Sequence, residues 1–286
     1  MGLLGRILAV VCLVPLAVTG CAAAPELRAL TGREEAELHD AEQFLVRDCM
    51  ARHGFRLWIT TYDRRAEPER FPYVIDDIDW ASRHGYGTEL RRNADARADS
   101  NKVYFDGLPA EGRKAAVAAL NGTGPGRVET VPPAGGLLSR YDNGCTSQTW
   151  RELYGDLAAW YRASKIAEAL PGLWRGRVVT DPAFTAAVAR WSGCMKEAGL
   201  PYESPAAARA AISAPDAGAG GDGEIRTAVA EATCAGRTGL AATARELDRS
   251  RQADVRAEYR EGLETRLRLQ LAALPRAGAA VKNAQR

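Results

Sequence analysis

The stretch Cys194–Leu200, CMKEAGL, repeats the pattern of Cys49–Phe55, CMARHGF, found earlier in the chain. Both stretches carry Cys-Met, three variable residues, a glycine and an apolar residue, and both close a helical pattern. Gly54 and Gly199 fall where a helix commonly ends with a residue in the left-handed conformation. The two stretches therefore predict two matching helix ends, each of which presents one cysteine.

The helices that end in these stretches can be followed back along the sequence. The first runs through EEAELHDAEQFLVRDCMARHG over 34–54, and the second through DPAFTAAVARWSGCMKEAG over 181–199. Asp181 is a good N-cap, and the proline that follows it suits a first helical turn. Each helix is followed later by another cysteine, Cys145 or Cys234, that introduces a long helical pattern. The simplest interpretation is two divergent copies of one unit, each stapled by its own disulfide.

The N-terminal segment 1–21, MGLLGRILAVVCLVPLAVTGC, has one positive charge followed by an apolar run and small residues. The run is too short to cross a bilayer, and this layout is typical of a secretory signal peptide. The last four residues, VTGC, resemble the lipobox of bacterial lipoproteins. This resemblance implies removal of residues 1–20 and attachment of diacylglycerol to the sulfur of Cys21. The alternative is an ordinary signal peptide cut nearby, with Cys21 left as a free thiol.

The lipobox resemblance also implies an address. The mature protein would sit on the outer face of the bacterial cell membrane, anchored through lipid at Cys21. Residues 21–33 would form the lipidated tether. In such an oxidising compartment the remaining cysteines are expected to form disulfides.

Four cysteines remain once Cys12 leaves with the signal peptide and Cys21 takes lipid. These are Cys49, Cys145, Cys194 and Cys234. Four cysteines allow three connectivities, and the two-unit interpretation predicts Cys49–Cys145 and Cys194–Cys234. A metal site would favour close pairs such as C-x-x-C, and pairing would consume every candidate thiol nucleophile. Each closure would contribute about 4 to 5 kcal/mol from loop-closure entropy.

The predicted fold is mainly α: a helical domain of two divergent disulfide-stapled units. The first unit spans 34–175 and contains a loop-rich insertion over 56–144, where RLWITTY at 56–62 is the candidate for a short strand. The second unit spans 176–275 and ends in a long helical stretch, and a disordered tail is expected over 276–286. Within the insertion, helices are predicted between Asp77 and Gly85 and between Pro109 and Gly122; in the second unit a short helix is predicted from Ser204.

The stretch from Glu224 to Leu274 is helical in pattern, with interruptions at Gly236, Gly239 and Gly262. Its apolar residues lie mainly along one stripe. They are Leu240, Leu247, Val255, Tyr259, Leu263 and Leu267. The stripe is sparse, so we expect it to pack within the chain rather than in a coiled coil.

The densest polar cluster comprises Asp76, Asp77 and Asp79, with His84 close behind. Paired carboxylates can bind a cation or share acid/base work. However, Asp77 is a good helix N-cap, negative charge is favoured at a helix start, and the EF-hand spacing is absent. Capping and solvation are the favoured interpretation. The sequence carries no catalytic, cofactor or metal motif that we can assign, and catalytic residues are not predicted.

Composition and aromatic residues limit the partners. A formal net charge of +2, with basic residues scattered among acidic ones, gives no reason to expect a nucleic-acid partner. At helical spacing, a core seam is favoured for Trp150, Leu153, Tyr154, Leu157 and Tyr161. Several aromatic residues offer the alternative of a groove for glycan or peptide. They are Trp80, Tyr86, Trp150, Tyr154, Trp160 and Tyr161.

Four stretches are similar to segments of secreted lipoproteins from actinobacteria. They are FPYVIDDIDWASRHGYGT at 71–88, GCTSQTWRELYGDL at 144–157, RWSGCMKEAGLPY at 190–202 and ATCAGRTGL at 232–240. The resemblance implies export, lipid anchoring and paired cysteines, but it supplies no catalytic residue. We therefore expect a lipid-anchored envelope protein that binds or organises another component, such as an envelope protein or cell-wall glycan. The alternative is an envelope hydrolase or cation-binding protein that uses the Asp76–His84 region.

Overall fold

The computed structural model describes residues 27–59, 70–95, 99–213 and 221–285 of the chain. The predicted signal peptide 1–20, Cys21 and residues 22–26 of the predicted tether lie outside the described residues. In the described part, helices dominate and one two-stranded sheet is present, so the mainly α prediction is confirmed. None of these helices combines the length and the apolar character that a bilayer span requires.

The elements follow one another in this order. The helices before the sheet are α1 Gly32–Arg52, α2 Ile78–His84, α3 Thr88–Asp95, α4 Ser100–Gly107 and α5 Ala110–Asn121. The antiparallel strands are β1 Arg127–Thr130 and β2 Leu138–Tyr141. The helices after it are α6 Cys145–Tyr154, α7 Leu157–Val179, α8 Pro182–Glu197, α9 Pro205–Ser213, α10 Asp222–Arg237, α11 Leu240–Glu258 and α12 Arg260–Ala284.

Two larger apolar cores organise the fold. The first lies between α1, α6, α7 and α12 and includes Leu38, Ala41, Leu153, Tyr154, Trp160, Ala273 and Ala277. The second is built from α2, α8, α9, α10 and α11, and Trp191 and Met195 are fully buried in it. The stripe residues Leu240, Leu247 and Val255 pack inside the chain, as expected.

The cores do not follow the predicted division near residue 175. Residues 71–86 of the insertion pack in the second core, where Ile75 and Tyr86 are buried. Conversely, α12 packs on α1 and α7 in the first core. Each half of the chain therefore contributes elements to the core of the other half, because the apolar faces of these elements pack against residues on the far side of position 175.

Both disulfides form with the predicted pairing. Cys49 bonds Cys145 across 96 positions of sequence, and Cys194 bonds Cys234 across 40 positions. Cys145 is the first residue of α6, whereas Cys234 lies in the last turn of α10. At the first bridge the second cysteine therefore begins a helix, as predicted. At the second bridge the second cysteine lies near the end of a helix, and the long helix α11 begins only at Leu240. An internal duplication stays a prediction.

The repeated Cys-Met stretches have the same backbone geometry. The N–H of Phe55 donates to the carbonyl of Met50 at 3.0 Å, and that of Leu200 donates to the carbonyl of Met195 at 2.9 Å. The glycines between them have φ of 83° at Gly54 and 76° at Gly199. Each glycine N–H also donates to the carbonyl three residues before it. Both helices therefore end in a Schellman motif, which accounts for the glycine and the apolar residue of the pattern.

Several local predictions hold. Asp77 caps α2 and Gly85 ends it, and Asp181 caps α8. Helix α5 begins after Pro109 and ends at Asn121, before Gly122. The short helix predicted from Ser204 is α9.

Other predictions are wrong. The two strands are β1 and β2, within 127–141. The candidate strand at 56–62 is described only over 56–59, and these four residues carry no strand. Pairing between strands, and not local composition, determines where the sheet forms. The helical pattern after Cys145 breaks at Gly155, with φ of 79°. The predicted disordered tail is helical as far as Ala284, and Ala277 is fully buried against the first core.

Gly262 does not interrupt the C-terminal helices. It lies inside α12, where a Cβ would meet Cδ1 of Ile166 at 2.8 Å. The glycine is therefore needed for close approach of α12 to α7. The break falls instead at Tyr259, between α11 and α12.

Candidate functional site

The predicted polar cluster begins with the cap of α2. Oδ1 of Asp77 accepts from the backbone N–H of Trp80 at 2.8 Å, and Oδ2 pairs with Arg70 at 3.1 Å. The backbone hydrogen bond from Trp80 is the main cause that lowers the pKa of Asp77. This carboxylate thus has the structural role that its position favours.

The other members of the cluster take separate partners. Asp76 forms an ion pair with Arg245 of α11. Asp79 is exposed, and its backbone carbonyl accepts from Arg83 at 3.0 Å. The ring of His84 lies 5.3 Å from that of Trp80, centroid to centroid. The fold spreads these side chains over different contacts and does not bring them together as one acid/base or cation site.

His53 lies close to the first disulfide. Its ring nitrogen and the sulfur atoms of Cys49 and Cys145 are within 4.8 Å of one another. Both sulfur atoms are consumed in the disulfide, so the group lacks the thiolates that a metal would bind.

A cleft of about 560 Å³ opens between α1 and α12. Its apolar lining comes from Ala29, Leu30, Leu38, Leu263 and Leu267. Its polar lining comes from Glu35, His39, Glu42, Arg256, Glu264, Arg266 and Gln270. A pocket of this size, with convergent polar groups over an apolar wall, has the character of a small-molecule site.

Two aromatic rings contribute to the lining of this cleft. Tyr154 and Trp160 are stacked with ring centroids 3.4 Å apart and planes inclined by 11°. The guanidinium of Arg266 lies 5.6 Å from the centroid of Trp160. Tyr154 is buried together with the seam residues Leu153, Leu157 and Tyr161, so the expected core seam is present. Tyr154 and Trp160 also line the cleft.

Glu42 and Tyr154 form a hydrogen-bonded pair in the cleft. The carboxylate of Glu42 accepts from the hydroxyl of Tyr154 and, at 3.4 Å, from Nε1 of Trp150. Burial raises the pKa of Glu42, and the two hydrogen bonds oppose that shift. Burial and the neighbouring charge of Glu42 raise the pKa of Tyr154 as well. The Glu42 carboxylate is thereby engaged inside the protein.

The cleft residues could in part have been found from the sequence. Glu35, His39 and Glu42 are spaced by four and three positions, which places them on one face of a helix. That spacing is a usable signal, and it was missed. Glu264 and Gln270 carry no comparable signal, because only the packing of α12 on α1 brings them to the same cleft.

Two further glutamates were missed because they are buried. Oε1 of Glu231 accepts from the N–H of Ile75 at 2.8 Å, and its Oε2 accepts from the hydroxyl of Tyr86. Oε1 of Glu224 accepts from the N–H of Tyr86 at 2.8 Å and from that of Thr88 at 3.2 Å. These side chains of α10 hold the segment 75–88 and serve the fold.

Comparisons with protein-family models, with curated proteins and with solved structures give no match for this chain.

Proposed function

We propose that the chain is a lipid-anchored extracytoplasmic envelope protein that works as a binding module rather than as an enzyme. Lipid at Cys21 would hold it on the outer face of the bacterial membrane. The ligand that we assign to the cleft between α1 and α12 is a segment of cell-wall glycan.

The address is supported by two independent features. The first is the sequence VTGC, ending at Cys21, behind a short apolar run. The second is the presence of two disulfides, which persist in oxidising compartments and are rare in the cytosol.

The observation that carries the binding proposal is the composition of the α1–α12 cleft. Carboxylates, arginines, a histidine and an amide line it beside leucines. Such planar polar groups can donate to and accept from the hydroxyls of a sugar, while the leucines contact its less polar faces. Glu42, the carboxylate with the raised pKa, already accepts two hydrogen bonds inside the protein, and this favours binding over proton transfer.

The position of the cleft also fits a membrane-anchored receptor. Ala29 and Leu30, which belong to the predicted tether 21–33, line it. The six steps of chain from Cys21 to Leu27 reach at most about 21 Å when fully extended. The cleft would therefore stay close to the membrane surface, where the innermost cell-wall material lies.

The anchor is tested by growing cells with an alkyne-bearing fatty acid and comparing the wild type with Cys21→Ser. We expect label on the wild-type protein and none on the variant. Equal labelling of both, or label on neither, would contradict the anchor.

The glycan assignment is tested separately with soluble glycan strands released from purified cell wall. Titration calorimetry should show saturable binding that weakens about tenfold in Glu264→Gln, because a charged hydrogen-bond acceptor is lost. Glu197→Gln, an exposed substitution at the end of α8, is the matched control. Absence of binding, or the same loss in the control, would remove the glycan assignment and leave the anchor intact.

A further inference from the structure

A second cavity, of about 490 Å³, lies beside α2 and differs in charge from the cleft. Three arginines line it, and its lining includes no carboxylate. The arginines are Arg70, Arg91 and Arg209. Aromatic and apolar side chains complete the wall, namely Phe71, Ile75, Trp80, Tyr86 and Leu90.

Two of the arginines are held by neutral acceptors. Nη1 of Arg91 donates to the carbonyl of Tyr86 at 2.7 Å, and its Nη2 donates to Oγ1 of Thr88 at 3.0 Å. Nη2 of Arg209 donates to the carbonyl of Phe71 at 2.8 Å. These bonds fix the guanidinium groups without neutralising their charge, and each group keeps donors for a further acceptor.

This arrangement of Arg91 and Arg209 contrasts with Arg70 in the same wall, which pairs with Asp77, and with arginines elsewhere in the described chain. Arg177 pairs with Glu258, and Arg251 pairs with Asp181. The carboxylates nearest the cavity along α10, Glu224 and Glu231, accept from backbone N–H groups and from the hydroxyl of Tyr86, as described above. Both oxygens of Glu231 and Oε1 of Glu224 thus accept from the segment 75–88, which forms part of the cavity wall. Oε2 of Glu224 is buried without a hydrogen-bond partner among the described residues, and Arg209 acts on Glu231 through its charge alone.

Aromatic rings contribute an apolar surface beside these charges. The rings of Trp80 and Phe71 meet edge to face, with centroids 4.9 Å apart. Gly87 has φ of 74°, and a Cβ there would lie 3.2 Å from the Trp80 ring. A side chain at position 87 would therefore press on this ring and narrow the cavity.

From this geometry we propose that the cavity binds a small organic anion, with a phosphate or carboxylate on Arg91 and Arg209 and a flat ring against Trp80. Arginine is suited to both anions because its planar fork can donate two parallel hydrogen bonds. The volume of the cavity fits a ligand of this size. The site is distinct from the α1–α12 cleft and shares no lining residue with it.

The proposal is tested with phenyl phosphate as the probe, inorganic phosphate as the head group alone and phenol as the ring alone. The full exported chain, purified in detergent with its disulfides formed, is titrated by calorimetry. We expect phenyl phosphate to bind about tenfold more tightly than either fragment, and to weaken as salt is raised. If phenyl phosphate shows no saturable binding to the wild type, the proposal is overturned.

Variants locate the site. Arg91→Gln and Arg209→Gln should each weaken phenyl phosphate binding about tenfold, because a charged donor is lost. Arg162→Gln, an exposed substitution on α7 far from the cavity lining, is the control and should bind like the wild type. Circular dichroism checks the fold of each variant. Unchanged binding in a folded Arg91→Gln or Arg209→Gln protein, or an equal loss in the control, would also overturn the proposal.

Discussion

The hydroxyl of Tyr86 donates to Oε2 of Glu231, a carboxylate with no exposed surface in the second core. Ile75 donates its N–H to the other oxygen of the same carboxylate at 2.8 Å. One buried side chain of α10 thus binds the backbone shortly before α2 and the Tyr86 side chain shortly after it. The stability of this connection depends on the protonation of Glu231.

Burial raises the pKa of Glu231 from 4.5 to about 7. Because the folded state holds this proton more tightly than the unfolded state, its contribution to stability is greatest below pH 4.5 and is lost as the pH rises to about 7. A shift of this size corresponds to about 3 kcal/mol. Urea unfolding of the wild type and of Glu231→Gln from pH 4.5 to 8 measures it. We expect the wild type to lose about 3 kcal/mol relative to the variant over this range; parallel pH profiles would contradict the assignment.

The Schellman motif at the end of α8 gives a prediction about glycine. Gly199 has φ of 76° with no atom near an added Cβ, so Gly199→Ala should cost about 1 to 2 kcal/mol through backbone strain alone. Gly193 lies inside the same helix with equally open surroundings, and Gly193→Ala should stabilise by about 0.5 to 1 kcal/mol. Chemical denaturation of both variants measures the difference. Equal effects would argue against the left-handed helix end.

The second disulfide closes a shorter loop than the first. Replacing Cys194 and Cys234 together by alanine should destabilise the chain by about 4 kcal/mol through loop-closure entropy. Unfolding in denaturant measures this loss, and peptide mapping without reduction checks the pairing in the wild type. Free thiols at these two positions in the exported protein would refute the predicted connectivity.

The contact between Tyr154 and Glu42 can be measured by a double-mutant cycle. Tyr154→Phe leaves the partly buried Glu42 with Nε1 of Trp150 as its remaining side-chain donor among the described residues, and should cost about 1 to 3 kcal/mol. In a Glu42→Gln background Tyr154→Phe should cost less, because an amide loses less free energy than a carboxylate when a hydrogen-bond donor is removed. If the two substitutions were strictly additive in denaturant unfolding, the two side chains would not be coupled.

The helix ends were predictable because their causes are local. The capping carboxylates of Asp77 and Asp181 and the left-handed glycines, Gly54 and Gly199, act within a few residues of their own position. The disulfide pairing was also predictable, because the repeated stretches suggested which helix ends belong together.

Packing between distant elements was not predictable from local signals. Glu231 looks like a surface residue of an amphipathic helix, yet it is buried because residues 75–86 return to cover it. The same holds for α12. In the sequence its final turns resemble a polar tail, but in the structure they pack on α1. The α1–α12 cleft forms only because these two helices pack together, so the sequence pattern could not predict which residues of α12 line it.

The proposed anchoring of this protein rests on lipid attachment at Cys21. The most direct measurement is mass spectrometry of the N-terminal peptide of the mature protein extracted from membranes. Our account predicts that the peptide begins at Cys21 and carries the mass of a diacylglyceryl group on its sulfur. A peptide that begins elsewhere, or that contains Cys21 with an unmodified thiol, would contradict it.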